Sequence, residues 1–181
     1  VHLTPSKLFV NNGDPKLHGN YICNIAKNYD CQMIKVAAPP FECYEFGNIY
    51  CSGVYYRLGG VKLNPVSYIS HSYNDINYPA ANMSATDEIQ AYTCETDSWK
   101  ILEQRLLRPK GYMGVALLPS GEILVTGGFC IDSKVLSDCE LLKDGTSIIK
   151  QNMPSPRCAH SRCVMSHGRV LVTGGFIFEG G

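Results

Sequence analysis

The sequence predicts an all-β protein built from a repeated unit of four antiparallel strands. Its 181 residues include 17 Gly, 10 Pro and 11 Tyr, a composition that favours strands and tight turns over helices. Apolar residues at helical spacing are scarce. Trp99 to Arg108 alone fits a helix face about as well as a strand. The strongest observation is a segment that returns at a fixed interval, which is typical of repeat architectures.

The repeat is clearest in two nine-residue segments that lie 47 residues apart. Residues 121–129 (GEILVTGGF) return as residues 168–176 (GRVLVTGGF), with seven identical positions. Weaker copies stand at 47–53 (GNIYCSG) and 7–13 (KLFVNNG). Each copy places small residues after strand-forming ones, which predicts a buried strand that ends where the backbone turns without a side chain.

A second element lies between these copies. Residues 91–99 (AYTCETDSW), 141–148 and 22–29 each place strand-forming residues on both sides of a polar turn, and they therefore predict hairpins. A proline-containing connector follows each hairpin, as in residues 153–157 (MPSPR). The hairpin, a further strand and the glycine-ended strand together make a unit of four strands.

This order of elements resembles the kelch repeat, in which each repeat is one four-stranded blade of a β-propeller. The resemblance is carried by VTGG at 172–175, by MPSPRCAHS at 153–161 and by the Tyr92…Trp99 hairpin. It implies structural roles for six residues: Gly127, Gly128, Gly174, Gly175, Tyr92 and Trp99. Residues 1–181 would then form about three antiparallel blades, roughly 7–51, 52–126 and 127–173. Since propellers have about four to eight blades, these would belong to a larger ring.

An insertion interrupts the period once. The small-residue pairs at 52 and 127 are 75 residues apart, against 47 for the next interval, so about 28 residues are inserted, roughly 55–86. Propeller insertions emerge on one face and often bind partners. The aromatic residues of this segment are therefore candidates for partner binding: Tyr68, His71, Tyr73 and Tyr78. The alternative is a long loop without a function, which chain entropy tolerates.

Nine cysteines allow two interpretations. The pairs 23/31, 43/51 and 130/139 straddle predicted turns, so cross-strand disulfides and an extracellular location are one alternative. The other is that cysteine replaces core valine, because superposing the repeats places Cys43 and Cys51 on Leu or Val positions. A reducing compartment with a cytoplasmic or cytoskeletal role would follow. Asn82 begins a glycosylation sequon, which matters only in a secreted chain.

One cluster contains four residues of the types that bind zinc: Cys158, His160, Cys163 and His167. Zinc needs its ligands to converge tetrahedrally. The repeat predicts a strand here, and alternation along a strand would point the first two side chains away from the last two. We therefore expect neither a metal site nor another cofactor. His160 matches the histidine that follows arginine in the kelch pattern, which implies a structural role.

Composition and motifs narrow the function further. The chain has 16 basic and 16 acidic residues, which argues against nucleic-acid binding by bulk charge. No apolar run is long enough to cross a membrane. The motifs of serine hydrolases, phosphate-binding loops and zinc proteases are absent, so we expect no catalytic activity. A start at Val1 fits a processed terminus or a cut within a longer chain.

Three functional classes remain. The first is a scaffold module that binds a protein partner, cytoskeletal or another copy of itself, through propeller-face loops; it is what the kelch resemblance implies. The second is a structural subunit of an extracellular, ciliary or cytoskeletal assembly, suggested by the cysteine content. The third is the propeller portion of a secreted copper-radical oxidase resembling galactose oxidase, whose repeats look similar to residues 117–128. The copper ligands of that class cannot be placed on this chain.

Overall fold

The computed structural model describes residues 7–11, 20–25, 31–63, 83–130, 132 and 134–177. These residues form fifteen strands and a 3-10 turn at Ser166–Gly168, with no α-helix among them, which confirms the all-β prediction. The first nine strands are β1 (Lys7–Asn11), β2 (Asn20–Ile25), β3 (Cys31–Val36), β4 (Gly47–Cys51), β5 (Val54–Leu58), β6 (Val61–Leu63), β7 (Met83–Ala85), β8 (Glu88–Thr93) and β9 (Ser98–Arg105). The other six are β10 (Gly114–Leu117), β11 (Ile123–Cys130), β12 (Lys134–Lys143), β13 (Thr146–Lys150), β14 (Ser161–Val164) and β15 (Val170–Thr173).

The strands pair in four antiparallel sheets that follow one another along the chain. Sheet 1 has the order β1-β2-β3, sheet 2 the order β4-β5-β8-β9, sheet 3 the order β10-β11-β12-β13, and sheet 4 contains β14 and β15. The remaining two strands, β6 and β7, form a separate ladder between β5 and β8. Within the described residues no helix has the length and apolar character that a membrane span needs.

A glycine pair marks the same position near the end of the second strand in sheets 2, 3 and 4. These pairs, all with positive φ, are Gly59-Gly60, Gly127-Gly128 and Gly174-Gly175. The residue after each pair bridges to the preceding connector: Val61 to Tyr44, Phe129 to Gly111, and Phe176 to Cys158. The prediction that Ser52-Gly53 stands for a glycine pair was wrong, because these two residues turn the chain between β4 and β5.

The insertion begins later than the predicted residue 55. Tyr55 lies within β5 and is buried, with 7% of its surface exposed. The extra residues leave sheet 2 at Gly59, and the β6–β7 ladder forms their base, with Val61 paired to Ala85. The glycine pairs at 59 and 127 are 68 residues apart, so about 21 residues are inserted rather than 28.

Two apolar clusters hold neighbouring sheets face to face. The cluster between sheets 2 and 3 contains Leu58, Ile89, Leu106, Met113, Val115, Val125 and Leu142. The cluster between sheets 1 and 2 contains Ile22, Val36, Tyr55 and Tyr92. Strand β10 contacts both β4 and β14, so the first strands of successive sheets lie side by side. Removal of these apolar surfaces from water is the main force that keeps the sheets stacked.

The structure contains both disulfide-bonded and free cysteines, so each of the two interpretations of the cysteines holds for part of them. Cys23 is disulfide-bonded, while the side chain of Cys31, its predicted partner, lies outside the described part of the chain. The predicted pairs 43/51 and 130/139 are wrong, because all four of these residues are free thiols. Cys43 is buried, which raises the pKa of its thiol. Cys43 directly precedes the bridge residue Tyr44, and Lys110 directly precedes the equivalent bridge residue Gly111. Cys43 therefore stands at the position of Lys110 in the repeat, and the prediction that it replaces a core Leu or Val was wrong. Asn82 also lies outside the described residues.

Candidate functional site

The connectors between sheets meet at one end of the inner strands. This connector end comprises residues 37–46, 59–63, 83–87, 106–113 and 151–160. Its segments hydrogen-bond to one another: the Gly60 amide donates to the Lys110 carbonyl at 2.9 Å, and the Gly128 amide donates to the Arg157 carbonyl at 3.0 Å. At the opposite end the inner strands close through short turns, such as Ser52-Gly53. The longest segments of the repeat therefore lie on one surface.

A row of three equivalent residues crosses this surface. Glu45, Tyr112 and Ala159 each stand one residue after a bridge residue and adopt left-handed backbone, with φ between 50° and 56°. The Tyr112 amide donates to the Glu45 carbonyl at 2.7 Å, and the Ala159 amide donates to the Tyr112 carbonyl at 2.8 Å. Left-handed backbone is uncommon for residues other than glycine and persists only where surrounding contacts impose it. The row is therefore held firmly between sheets.

Tyr112 presents an aromatic ring in the middle of this row. It packs edge-to-face on Phe129, with ring centroids 6.4 Å apart. Both rings are half-buried, so part of each remains accessible. Burial raises the pKa of the Tyr112 hydroxyl above its ordinary 10.0, and the nearby Glu45 carboxylate adds to this effect. Tyr112 therefore offers a neutral hydroxyl and an apolar ring, a combination that is common in protein interfaces.

An ion pair fixes the base of the insertion. Lys62 of β6 contacts the Glu88 carboxylate of β8 at 2.6 Å and lies 3.7 Å from the ring centre of Phe41. This hydrogen bond from Lys62 holds the pKa of Glu88 below its usual 4.5. Arg105 stands 4.0 Å from the same carboxylate. The insertion thus leaves and rejoins sheet 2 at a defined place on the connector end.

The four predicted partner-binding residues, Tyr68, His71, Tyr73 and Tyr78, lie in residues 64–82, outside the described part of the chain. The described ladder carries the two ends of this segment at Leu63 and Met83. Their role stays a prediction.

Tyr92 and Trp99 pair across β8 and β9 and join sheet 2 to sheet 1. The Trp99 indole N–H donates to the Ala37 carbonyl at 2.9 Å, and the Tyr92 hydroxyl donates to Asp97 at 2.8 Å. The Ala37 amide also donates to Asp97 at 2.8 Å, and these two hydrogen bonds lower the pKa of Asp97. Ala37 follows directly on β3, so the hairpin binds the end of sheet 1.

The four residues of the types that bind zinc, Cys158, His160, Cys163 and His167, do not converge on one point. Cys158 and His160 are buried, whereas Cys163 and His167 are exposed. The His160 ring nitrogen Nε2 lies 2.8 Å from the Thr126 hydroxyl, which links the start of β14 to sheet 3. Among the described residues no group of three or more His, Cys, Asp or Glu side chains is arranged to hold a metal ion.

His160 makes stability depend on pH. Burial, with added repulsion from Arg157 and Arg162, lowers the pKa of His160 below its ordinary 6.5. The unfolded chain therefore binds more protons than the folded chain as the pH falls below 6.5, and the free energy of unfolding must decrease there. We expect urea midpoints to fall on acidification through this range. A His160→Gln variant should lose this dependence; an unchanged pH profile in that variant would assign the effect to another group.

Three charged side chains that the sequence pattern did not identify are buried in the structure: Lys110, Glu140 and Arg57. Lys110 contacts Glu140 at 2.6 Å, and neither side chain is exposed. Arg57 is 1% exposed; it donates to the Cys43 carbonyl at 3.1 Å and lies 4.2 Å from the ring centre of Phe46. The sequence offered one signal, the position of Glu140 within the otherwise apolar run Cys139–Leu142 of β12. The partners of these charged side chains lie on other strands and connectors, so the alternation of side chains along one strand could not identify them.

Comparison with known proteins shows the fold alone. No family model matches the chain, and no curated protein matches it. Among solved structures 131 chains match. One of them, titled "Structure of YjhT", has 14% sequence identity and a TM-score of 0.63. The match covers 80% of this chain and 47% of that chain, so the present chain spans about half the length of YjhT.

Proposed function

We propose that this protein is a non-catalytic interaction module, built as part of a kelch-type β-propeller, that binds a protein partner through its connector end. The propeller arrangement is supported by the repeated geometry of sheets 2, 3 and 4. Their glycine pairs, bridges and left-handed residues recur in the same order. The side-by-side packing of β4, β10 and β14 is what successive blades around one axis require.

The observation that carries the binding role is the difference between the two ends of the inner strands. One end closes through short turns, while the other gathers every described connector between sheets, the Tyr112 ring and the base of the insertion. Binding residues are commonly placed on loops that a rigid scaffold positions. Here the hydrogen-bonded row Glu45–Tyr112–Ala159 provides the scaffold, and the base of the insertion is joined to the residue beside Glu45 by the bridge between Tyr44 and Val61.

The binding proposal predicts that the partner depends on the insertion. Replacing residues 64–82 with a short Gly-Ser linker retains β5, the β6–β7 ladder and the buried Tyr55, so the fold should persist. We expect the variant to lose the proteins captured by the intact chain in quantitative affinity purification. Tyr112→Asn should weaken capture as well, since asparagine accepts left-handed backbone but removes the ring.

The matched control is His167→Asn. His167 is exposed and has left-handed backbone, like Tyr112, but it lies at the opposite end of the inner strands, where short turns connect them. We expect this variant to capture the same proteins as the intact chain. Equal capture by the linker variant and the intact chain would place the binding site elsewhere. Equal loss in all three variants would indicate a general folding defect, which circular dichroism would detect.

A second candidate function is a structural subunit of an assembly. One observation favours it: apolar side chains in β15 and just after it are exposed, with 50% exposure for Leu171 and 63% for Phe176. Contact sites between proteins are commonly formed where such apolar side chains make one contiguous exposed patch.

A further inference from the structure

A cavity of about 200 Å³ lies between sheets 2 and 3, beside the turns that follow β4, β10 and β12. Two glycines in those turns, Gly121 and Gly145, form part of its lining, and a Cβ added to either would meet nothing within 4 Å. Because neither residue has a side chain, the space between the sheets stays open on this side. The connector end contributes none of the described lining residues, so the cavity is separate from the proposed partner surface.

The walls of the cavity are apolar. Leu58, Ile89 and Leu102 line it from sheet 2, while Ile123 and Leu142, which pair directly across β11 and β12, line it from sheet 3. All five side chains belong to the apolar cluster between these sheets or pack against it. Apolar cavities of about 150 Å³ with walls of this kind take up benzene. The present cavity therefore has room for one aromatic ring that carries a short chain.

The mouth of the cavity carries hydrogen-bond acceptors. The Gln104 amide nitrogen donates to the Thr146 carbonyl across the two sheets, which holds the amide in place and leaves its oxygen as an acceptor. Asp144 adds a carboxylate. Burial raises the pKa of Tyr56 above its ordinary 10.0, so its hydroxyl is neutral and can also accept a hydrogen bond. A ligand that fits this mouth must therefore donate hydrogen bonds.

The charges at the mouth favour a cation. Lys143 and Asp144 lie in the lining, and Lys143 Nζ stands 3.2 Å from a carboxylate oxygen of Glu122. The charges of Lys143 and Glu122 offset each other, and the carboxylate of Asp144 is then the remaining charge. A positive group on a ligand gains Coulomb energy beside that carboxylate, whereas a negative group is repelled by it.

We propose that this cavity binds a small aromatic amine. The ring lies between the apolar walls, where it contacts Leu102 and Ile123, and the ammonium group lies at the mouth. An ammonium group is a donor only. It therefore matches the acceptors of Gln104 and Asp144 in hydrogen bonding and the carboxylate in charge. A ring with a carboxylate instead fills the same walls but meets like charge and no donor it needs.

Isothermal titration calorimetry of the 181-residue chain with phenethylamine tests this proposal. We expect saturable binding to one site with a Kd of about 1 mM or lower, which is realistic for so small a ligand. Phenylacetate carries the same ring with the opposite charge and should bind at least about tenfold more weakly. Absence of saturation by phenethylamine up to about 10 mM, or equal affinity for the two compounds, would overturn the proposal.

Three variants test the position of the ligand. Leu102→Phe fills the cavity and should abolish binding of phenethylamine. Ile101→Phe is the matched control, because Ile101 precedes Leu102 on the opposite face of β9 and is 41% exposed. Asp144→Asn keeps the turn, since asparagine accepts the left-handed backbone there, and should weaken binding at least about threefold. Unchanged affinity in Leu102→Phe or in Asp144→Asn, or equal loss in Ile101→Phe, would contradict the site.

Thiol alkylation of the unaltered chain locates the ligand even where Leu102→Phe does not fold. Cys51 is a free thiol in the cavity lining, whereas Cys163 is a free, exposed thiol on β14 outside it. Phenethylamine at a few times its Kd should slow the reaction of iodoacetamide with Cys51 at least about threefold and leave Cys163 unaffected, as read by peptide mass spectrometry. An unchanged rate at Cys51, or equal slowing at both thiols, would place the ligand elsewhere and refute the proposal.

Discussion

Replacing Lys110 with methionine should lower the free energy of unfolding by about 3 to 5 kcal/mol, because it leaves the buried Glu140 carboxylate without its cation. Neither side chain is exposed, and the two stand 2.6 Å apart. The Leu107 amide donates to the other carboxylate oxygen at 2.8 Å, which cannot compensate a full charge. A loss of this size is a large fraction of the stability of an ordinary domain, about 5 to 15 kcal/mol. Urea denaturation measures it directly.

Two comparisons isolate the charge effect. The double variant Lys110→Met/Glu140→Leu removes both charges and should recover most of the lost stability, since apolar replacements of buried pairs are often neutral. Lys62→Met is the matched control, because Lys62 and Glu88 make an equally short contact with 32% and 24% of their side chains exposed. That variant should cost under about 1 kcal/mol. Similar costs for Lys110→Met and Lys62→Met would show that burial of the first pair is incomplete.

Gly127→Ala should cost about 3 to 4 kcal/mol, whereas Gly174→Ala should cost only about 1 to 2 kcal/mol. Both glycines have left-handed backbone, with φ of 55° and 69°, so both variants carry the strain of a side chain there. A Cβ at Gly127 would in addition overlap the Arg157 carbonyl oxygen and stand 2.8 Å from Met153 Cε. A Cβ at Gly174 would meet nothing within 4 Å. Thermal and urea unfolding of the two variants provide the comparison.

The two glycines are matched in sequence, since each lies in the segment VTGGF. The difference between the two variants therefore measures the contact with the following connector rather than the motif. Equal costs in the two variants would contradict the close approach of the Arg157 backbone to sheet 3.

Much of the strand arrangement was predictable from local pattern. The 47-residue repeat predicted β10–β11 and β14–β15 in matching positions, because alternation and turn residues act over a few neighbouring positions. The hairpin of β8 and β9 was predicted for the same reason, and the structure pairs Tyr92 with Trp99 across it. The prediction that a glycine pair ends its strand is confirmed at Gly174-Gly175, which follow β15 directly. It was wrong at Gly127-Gly128, where β11 shifts its register and continues to Cys130.

The repeat was misaligned where two small-residue pairs compete. Ser52-Gly53 and Gly59-Gly60 both follow short runs of strand-forming residues, and local preference does not distinguish them. The bridge between Tyr44 and Val61 distinguishes the two pairs. Val61 directly follows Gly59-Gly60, as Phe129 and Phe176 directly follow the other two glycine pairs and form the equivalent bridges. That misalignment also placed the start of the insertion at residue 55, on a core tyrosine.

The sequence by itself determined the all-β class, the strand-forming runs and the tight turns, since these depend on side-chain alternation and on residues that permit unusual backbone. Only the tertiary structure decided which residues meet across sheets. It joined Lys110 to Glu140, placed Arg57 beside Cys43, and left Cys163 and Thr173 of sheet 4 exposed while burying their equivalents in sheet 3, Ala116 and Thr126. The physical reason is that burial of a charge or an apolar face depends on which sheet packs against it, and that neighbour lies far away in the sequence.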